Sequence, residues 1–470
     1  MKKLFGLFLG LASIFALVSC GKPTQPQETK LATPTNFTIV DNHATWDAVE
    51  NASKYRLNIV NEEAKEVKRV VNGATTADMK SFNLEKGKYE VFIQAVATAG
   101  SGYLDSDYTT EPVKYEVKGE YPVVTGISGK DLVDSEYVKW QGRTSYNETE
   151  GVNMIYHSAS SFEVKFTGTE VTVELFATKY NDSAHRPYVV YMLDDNYEKR
   201  VRVALSQKYT TLKIADLAED DGEIHTVALY KSTESTDSHI GLKSITTNGS
   251  FIPEIEYKER HIEFIAASSS TGHGNLGSPT VSKSTENSDC MQAFSYLTAR
   301  ALNADISIYS ASGWGVKFSK WTSPNTLNLF DAYKNLDFFS DVKWDITKIT
   351  PDVIVINLGT NDWSYISNTT DPSVQADRLK QFQNQYVDFL NYLHNIYPNC
   401  KIIMFYGLMN EKHIFDATKE IYNMAKVTNP DLAILQVTGD AQGSASHPSV
   451  DSHKQVAQLL ISKIEYEMGW

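Results

Sequence analysis

Val353-Ile354-Val355-Ile356-Asn357-Leu358-Gly359-Thr360-Asn361-Asp362 begins as an unbroken β-branched run and ends in a polar turn. A run without polar alternation makes a strand buried on both faces, as in the interior of a parallel sheet. Comparable runs occur at 262–266, 306–309, 402–406 and 433–437. Helix-period segments fit among them at about 289–303, 374–396 and 416–427, with a last one at 450–467. This alternation predicts a three-layer α/β domain with a parallel sheet over residues 257–470. Ligands of such sheets sit beyond the carboxyl ends of the strands. The polar turn after Ile356 is therefore where chemistry belongs.

Three other turns stand in the same relation to a strand or to the last helix. They are Ala266-Ala267-Ser268-Ser269-Ser270, Ser312-Gly313-Trp314-Gly315 and His447-Pro448. Ser268 follows its strand directly and is the candidate nucleophile, although Ser269 and Ser270 share its neighbourhood. A serine needs a base to take its proton during attack, and His447 is the candidate. A tetrahedral intermediate needs donors about 3 Å from its oxygen. The backbone N–H groups of Gly313 and Ser268 and the side-chain amide of Asn361 are the candidates for that oxyanion hole. Each feature has a plainer reading: a serine helix cap, a turn glycine, a capping asparagine, a structural histidine. His453, six residues beyond His447, falls inside the last helix and reads as structural. HExxH, paired Cys/His and EF-hand patterns are missing from the sequence, which disfavours a metal mechanism. No GxSxG elbow surrounds Ser268, which disfavours the common α/β-hydrolase fold.

The length of 470 residues fits about three domains. Residues 34–118 read as short alternating strands, such as Tyr55-Arg56-Leu57-Asn58-Ile59, at the spacing of a β-sandwich. With Trp46 on an early strand and Tyr89 on a late one, this block resembles a fibronectin type III module. It carries no catalytic constellation and reads as a spacer. Residues 119–256 form a second β-rich block, predicted as a jelly roll, in which Phe162, Val164 and Phe166 alternate with polar residues. Arg143 in this block is either a ligand contact or an ordinary surface arginine. Cys290 and Cys400 lie far apart and read as two separate buried thiols.

With 44 basic and 58 acidic residues the net charge is −14, which argues against a nucleic-acid surface and does not repel a neutral glycan. At the N-terminus, Lys2 and Lys3 precede an apolar run over 4–18 that is too short for an ordinary span. Its end, Leu17-Val18-Ser19-Cys20-Gly21, resembles a bacterial lipobox. That resemblance implies removal of signal peptide 1–19 and lipid attachment at Cys20. Residues 20–33 would then be a flexible linker holding a surface-exposed lipoprotein on a membrane of the bacterial cell envelope.

The four turns, in this order, resemble the SGNH (GDSL-like) hydrolases. Together with Gly142-Arg143-Thr144, the strand pattern from Phe162 to Thr169 and the segment Leu229-Tyr230-Lys231-Ser232-Thr233-Glu234-Ser235, they resemble carbohydrate esterase family 2 from about residue 120 onward. The resemblance implies deacetylation of acetylated plant-type polysaccharide or oligosaccharide, such as acetylxylan, without a cofactor. By that match Ser268 is nucleophile, His447 is base, and Gly313 and Asn361 line the oxyanion hole. Trp363 and Trp314 are candidate sugar platforms, each with burial in the core as its alternative. Two departures stand out. Ala267 occupies the place of the family's first-block aspartate, and Ser444 and Ala445 occupy the places of the acid upstream of the histidine. A backbone carbonyl is then expected to hold His447 in a Ser–His dyad, with Asp440 as a weaker substitute acid. The retained residues favour an esterase. The missing aspartates leave room for an inert, glycan-binding protein or a purely structural surface protein.

Overall fold

A computed structural model describes residues 29–61, 64–117, 122–253, 257–320 and 328–470. The expected signal peptide, 1–19, and Cys20 lie outside the described residues.

Five parallel strands build the C-terminal sheet: β1 Arg260–Ala266, β2 Ala304–Ser310, β3 Val353–Asn357, β4 Lys401–Tyr406 and β5 Ala433–Gln436. Their order is β2-β1-β3-β4-β5, with every neighbouring pair parallel. The β-branched run that sets β3 divides by alternation. Val353 and Val355 join the core containing helices α1 (Phe294–Ala301) and α6 (Val450–Met468). Ile354 and Ile356 join the core containing α4 (Pro372–Ile396) and α5 (Phe415–Ala425). Each of these aliphatic side chains contributes roughly 1.5–3 kcal/mol by leaving water. Two short helices complete the layer set: α2 (Leu329–Ala332) and α3 (Thr360–Ile366). Neither was expected from the sequence. Helix ends follow local chemistry. Asp371 caps α4 by accepting from Ser373 N, with Pro372 next in the chain, and Ser449 caps α6 by accepting from Ser452 N. Cys290 and Cys400 are free and buried, as their separation implied.

Residues 126–252 form two antiparallel sheets with an apolar filling that includes Phe162, Val164, Phe166, Val171 and Leu229. This unit lies along β2, the edge of the parallel sheet. Ile306 N on β2 donates to Gln141 Oε1 at 3.3 Å, and Lys139 Nζ reaches Asp305 Oδ1 at 3.1 Å. A sheet edge that would otherwise invite pairing is thereby covered. Arg143 is neither a surface residue nor placed against a ligand cavity. It is buried, donates to Tyr333 O at 2.6 Å and Asn335 O at 2.5 Å, and packs over the Tyr309 ring 4.0 Å away. Guanidinium can be buried this way because flat donors and ring faces compensate its lost hydration.

The N-terminal unit stacks a three-stranded sheet on a four-stranded antiparallel sheet, with Trp46, Leu57, Val91 and Ile93 in its core. It starts before the expected boundary at residue 34. Thr29–Lys30 pairs with Tyr103–Leu104, and Leu31 is buried in the same core. The unit docks on the amino end of the parallel sheet, where Lys54 Nζ meets the buried Asp352 Oδ2 at 2.7 Å. Asp352 immediately precedes β3 and also accepts from His261 N at 2.7 Å.

Candidate active site

All four polar turns converge at the carboxyl ends of the strands, around a cavity of about 210 Å³. Ser268, Gly313, Asn361 and His447 line it together with His273 and Ser312.

Ser268 opens a single 3₁₀ turn, Ser268–Thr271, immediately beyond β1. Hydroxyl groups hold this turn where an aspartate is missing. Thr271 Oγ1 donates to Ser268 O at 2.7 Å, and Ser270 Oγ donates to Ala267 O at 3.0 Å and lies in hydrogen-bond contact with Ser310 Oγ at 2.7 Å. The three serines are thereby distinguished. Ser270 is tied into the protein, Ser269 lines the cavity, and Ser268 faces the base. Ser268 Oγ lies 2.8 Å from His447 Nε2.

His447 leaves a tight loop in which Ala445 and Ser446 take left-handed backbone angles, φ 52° and 60°. Gly443 N donates to His447 O at 2.7 Å, closing that loop. Its ring Nδ1 lies 3.3 Å from Ala445 O, so a backbone carbonyl stands where an acid was missing. Asp440 does not fill the place. Its carboxylate accepts from Ser449 N at 2.9 Å, from Ser449 Oγ and from Gln442 N at 3.1 Å, which fastens the start of α6. Burial alone would raise the Asp440 pKa, but these donors hold it below the usual range. Burial, then the neighbouring His273, push His447 down to about 4, while Ala445 O and Glu234 work in the opposite direction. The imidazole is therefore neutral at pH 7, the form that accepts a proton. His453 sits within α6, buried, with Nδ1 accepting from Phe294 N at 3.2 Å.

The side expected to receive an oxyanion is built by two glycines and a clasp. Gly313 has φ +80°, a conformation that favours glycine, and so turns its peptide into the cavity wall. Gly315 leaves no room for a side chain: a Cβ there would stand 2.1 Å from Phe318 O and 2.4 Å from Asp362 Oδ2. Asp362, buried, accepts the N–H groups of Val316, Lys317 and Phe318 at 3.0, 2.8 and 2.9 Å. Asn361 Nδ2 donates to Trp314 O at 2.9 Å, which leaves its second hydrogen for a ligand oxygen.

Trp314 and Trp363 stand outside the cavity lining. The Trp314 ring packs edge-on against Phe338 at 4.8 Å, and the Trp363 ring stacks on His413 at 5.1 Å, tilted 8°. Three residues that sequence reasoning passed over do belong to the site: Glu234, His273 and Ser312. Glu234 Oε2 accepts from Ser312 N at 3.0 Å, and Oε1 accepts from Ser312 Oγ at 2.8 Å. His273 Nδ1 lies 3.1 Å from Glu234 Oε1, and its ring packs 4.2 Å from that of His447. A sequence signal existed for one of them: Glu234 is a charged residue three positions after a strand, within the Leu229-to-Ser235 segment.

Residues 140–254 match the family described as Carbohydrate esterase 2 N-terminal, and residues 244–460 match GDSL-like Lipase/Acylhydrolase. The chain is 27% identical over 349 residues to the cellulase/esterase CelE of Acetivibrio thermocellus, covering 72% of this chain and 40% of that protein. It is 28% identical over 256 residues to an acetylxylan esterase / glucomannan deacetylase of Cellvibrio japonicus, covering 52% of this chain and 70% of that one. Among solved structures, a family two carbohydrate esterase from Clostridium thermocellum in complex with cellohexaose superimposes with a TM-score of 0.61 at 25% identity. That match covers 71% of this chain and 99% of the other. The chain therefore matches a carbohydrate esterase 2 N-terminal model followed by a GDSL-like model, and the relatives it resembles are named as esterases.

Proposed function

We propose that this protein is a carbohydrate O-acetyl esterase that removes acetyl groups from an acetylxylan-like polysaccharide or oligosaccharide through an acyl-enzyme on Ser268. One observation carries the reading: Ser268 Oγ stands 2.8 Å from His447 Nε2 in a cavity that Gly313 and Asn361 also line. Ser268 attacks the acetyl carbonyl and gives its proton to His447. The Gly313 and Ser268 N–H groups and the Asn361 amide receive the oxyanion. His447 then returns the proton to the departing sugar oxygen, and water repeats the sequence to release acetate. The Ala445 carbonyl orients the imidazole, so the pair acts as a dyad. The cavity volume of about 210 Å³ suits a small acyl group. The cellohexaose bound by the Clostridium thermocellum esterase and the names of the relatives support a carbohydrate as the alcohol.

Acetate release from acetylated xylan by the full chain, beside Ser268→Ala, tests this. The variant is expected to lose at least about a thousandfold in kcat/KM, the scale seen when a nucleophile is removed. Equal rates in both would overturn it. A second reading, a cavity that holds a glycan without cleaving it, has one observation in its favour: among the described residues no carboxylate contacts the His447 ring. Glycan binding by a folded protein that releases no acetate would select that reading.

The same proposal places the protein on the bacterial cell envelope through a lipid on Cys20, with the N-terminal sandwich as a fibronectin type III-like spacer. The Leu17-to-Gly21 segment and the seven described strands of the sandwich support these parts. Cys20→Ala is expected to move the protein out of the membrane fraction.

A further inference from the structure

Glu234 belongs to the double-sheet domain, just beyond its strand His225–Lys231, yet its side chain ends among loops of the parallel-sheet domain. A carboxylate removed from water is costly unless donors and charge replace its hydration. Here the side chain is 2% exposed. It accepts from Ser312 N and Ser312 Oγ, His273 Nδ1 lies 3.1 Å from Glu234 Oε1 and 2.8 Å from Ser312 Oγ, and Lys283 Nζ stands 3.2 Å away. Lys283 is shared with Asp237, and Lys231 Nζ donates to the Glu234 backbone carbonyl at 3.1 Å. Burial alone would favour the protonated acid, but Lys283, His273 and Ser312 hold the carboxyl well below its usual range, so it is an anion.

Both groups it grips are adjacent to the chemistry. Ser312 directly precedes Gly313, so holding Ser312 N and Oγ limits where the Gly313 N–H can point. His273 lies over His447 with ring centroids 4.2 Å apart and planes inclined by 32°, so fixing His273 limits rotation of the base. We propose that Glu234 is a positioning residue for catalysis, holding the oxyanion loop through Ser312 and the base through His273. It thereby supplies from the neighbouring domain the restraint that Ala267, Ser444 and Ala445 cannot give. The double-sheet domain is then part of the reacting machinery as well as cover for a sheet edge.

The inference rests on Ser268 being a working nucleophile, and its test does not depend on the carbohydrate. A fluorophosphonate probe reacts by forming a bond from Ser268 Oγ to phosphorus while the phosphorus–fluorine bond breaks. Fluoride leaves, and the serine proton passes to His447. The maximal labelling rate (kinact) and half-saturating concentration (KI) are measured on the full chain, Glu234→Gln and His273→Phe, with melting curves for each. His273→Phe keeps a ring against His447 and removes the Nδ1 contacts to Glu234 and Ser312. Both variants are expected to lose about 100-fold in kinact, the scale of a small misplacement of reacting groups, with KI unchanged. A carboxylate serving only the domain interface would lower the melting temperature and the labelled fraction but leave kinact at the parent value, and that result overturns the proposal. If Glu234→Gln does not fold, His273→Phe decides on the same criterion. Failure of the parent chain to label would overturn the nucleophile reading and this inference together. Parent-rate labelling of the variants overturns this inference alone.

Discussion

His447 can take the Ser268 proton only while its own ring is neutral. Burial and the His273 ring hold that ring at about 4, well under the ordinary histidine value. A depressed value keeps the base competent down to mildly acid pH, so kcat/KM should stay level from neutrality to about pH 5 and fall as pH passes through about 4. A fall centred near the ordinary histidine value of 6.5 would show that the base sits in a wetter, less buried site. The residue scale also separates His447 from its nearest upstream acid. Asp440 spends its carboxylate on Ser449 and Gln442. Asp440→Asn should therefore leave kcat within about threefold of the parent while lowering stability by about 1 kcal/mol, the usual cost of a weakened helix start. A loss of kcat on the scale of a missing triad acid would reinstate Asp440 as the orienting group.

The segment 311–320 after β2 is the element on which the proposed oxyanion hole depends. Asp362, at the start of α3, accepts three successive N–H groups from it, and Gly315 leaves the space for that carboxylate to approach. Gly315→Ala would drive a methyl into both Phe318 O and Asp362 Oδ2. The expected result is about 1–3 kcal/mol of lost stability from overpacking and at least a tenfold drop in kcat, as one oxyanion donor moves. Thermal melting and kinetics on the same preparation check both halves. The apolar strands were readable because burial on both faces leaves continuous runs such as Val353 to Ile356. Helix α3 was not, since Thr360–Ile366 spans only two turns and its Trp and Tyr give no clear period. The left-handed angles at Ala445 and Ser446 had no glycine or asparagine to announce them.

Across the whole molecule, the two β units meet the parallel sheet in different ways. The N-terminal sandwich docks through Lys54 and Asp352 at the amino end of the sheet, opposite the cavity. Lys54→Ala leaves a buried carboxylate without its cation. It should cost about 3 kcal/mol, seen as easier proteolysis between the sandwich and the rest, with kcat unchanged. A parallel drop in kcat would mean that the sandwich takes part in the site. The double-sheet domain, by contrast, sends Glu234 to Ser312 and His273. The Ser268, Gly313, Asn361 and His447 positions were legible because each follows a strand or precedes the last helix in one chain segment. The Glu234 contacts were not, because they join residues 39 and 78 positions apart in different domains, and no local pattern encodes such a meeting.

In the proposed mechanism an acetyl group passes through Ser268. The most direct measurement uses p-nitrophenyl acetate, whose fast acylation lets an acyl-enzyme accumulate. The reaction of the full chain is quenched during turnover and its peptides are mapped. A stoichiometric burst of nitrophenol with acetyl on the Ser268 peptide, both missing from Ser268→Ala, is the predicted result. Turnover without a burst, with Ser268 unmodified and its alanine variant as fast as the parent, would contradict the account.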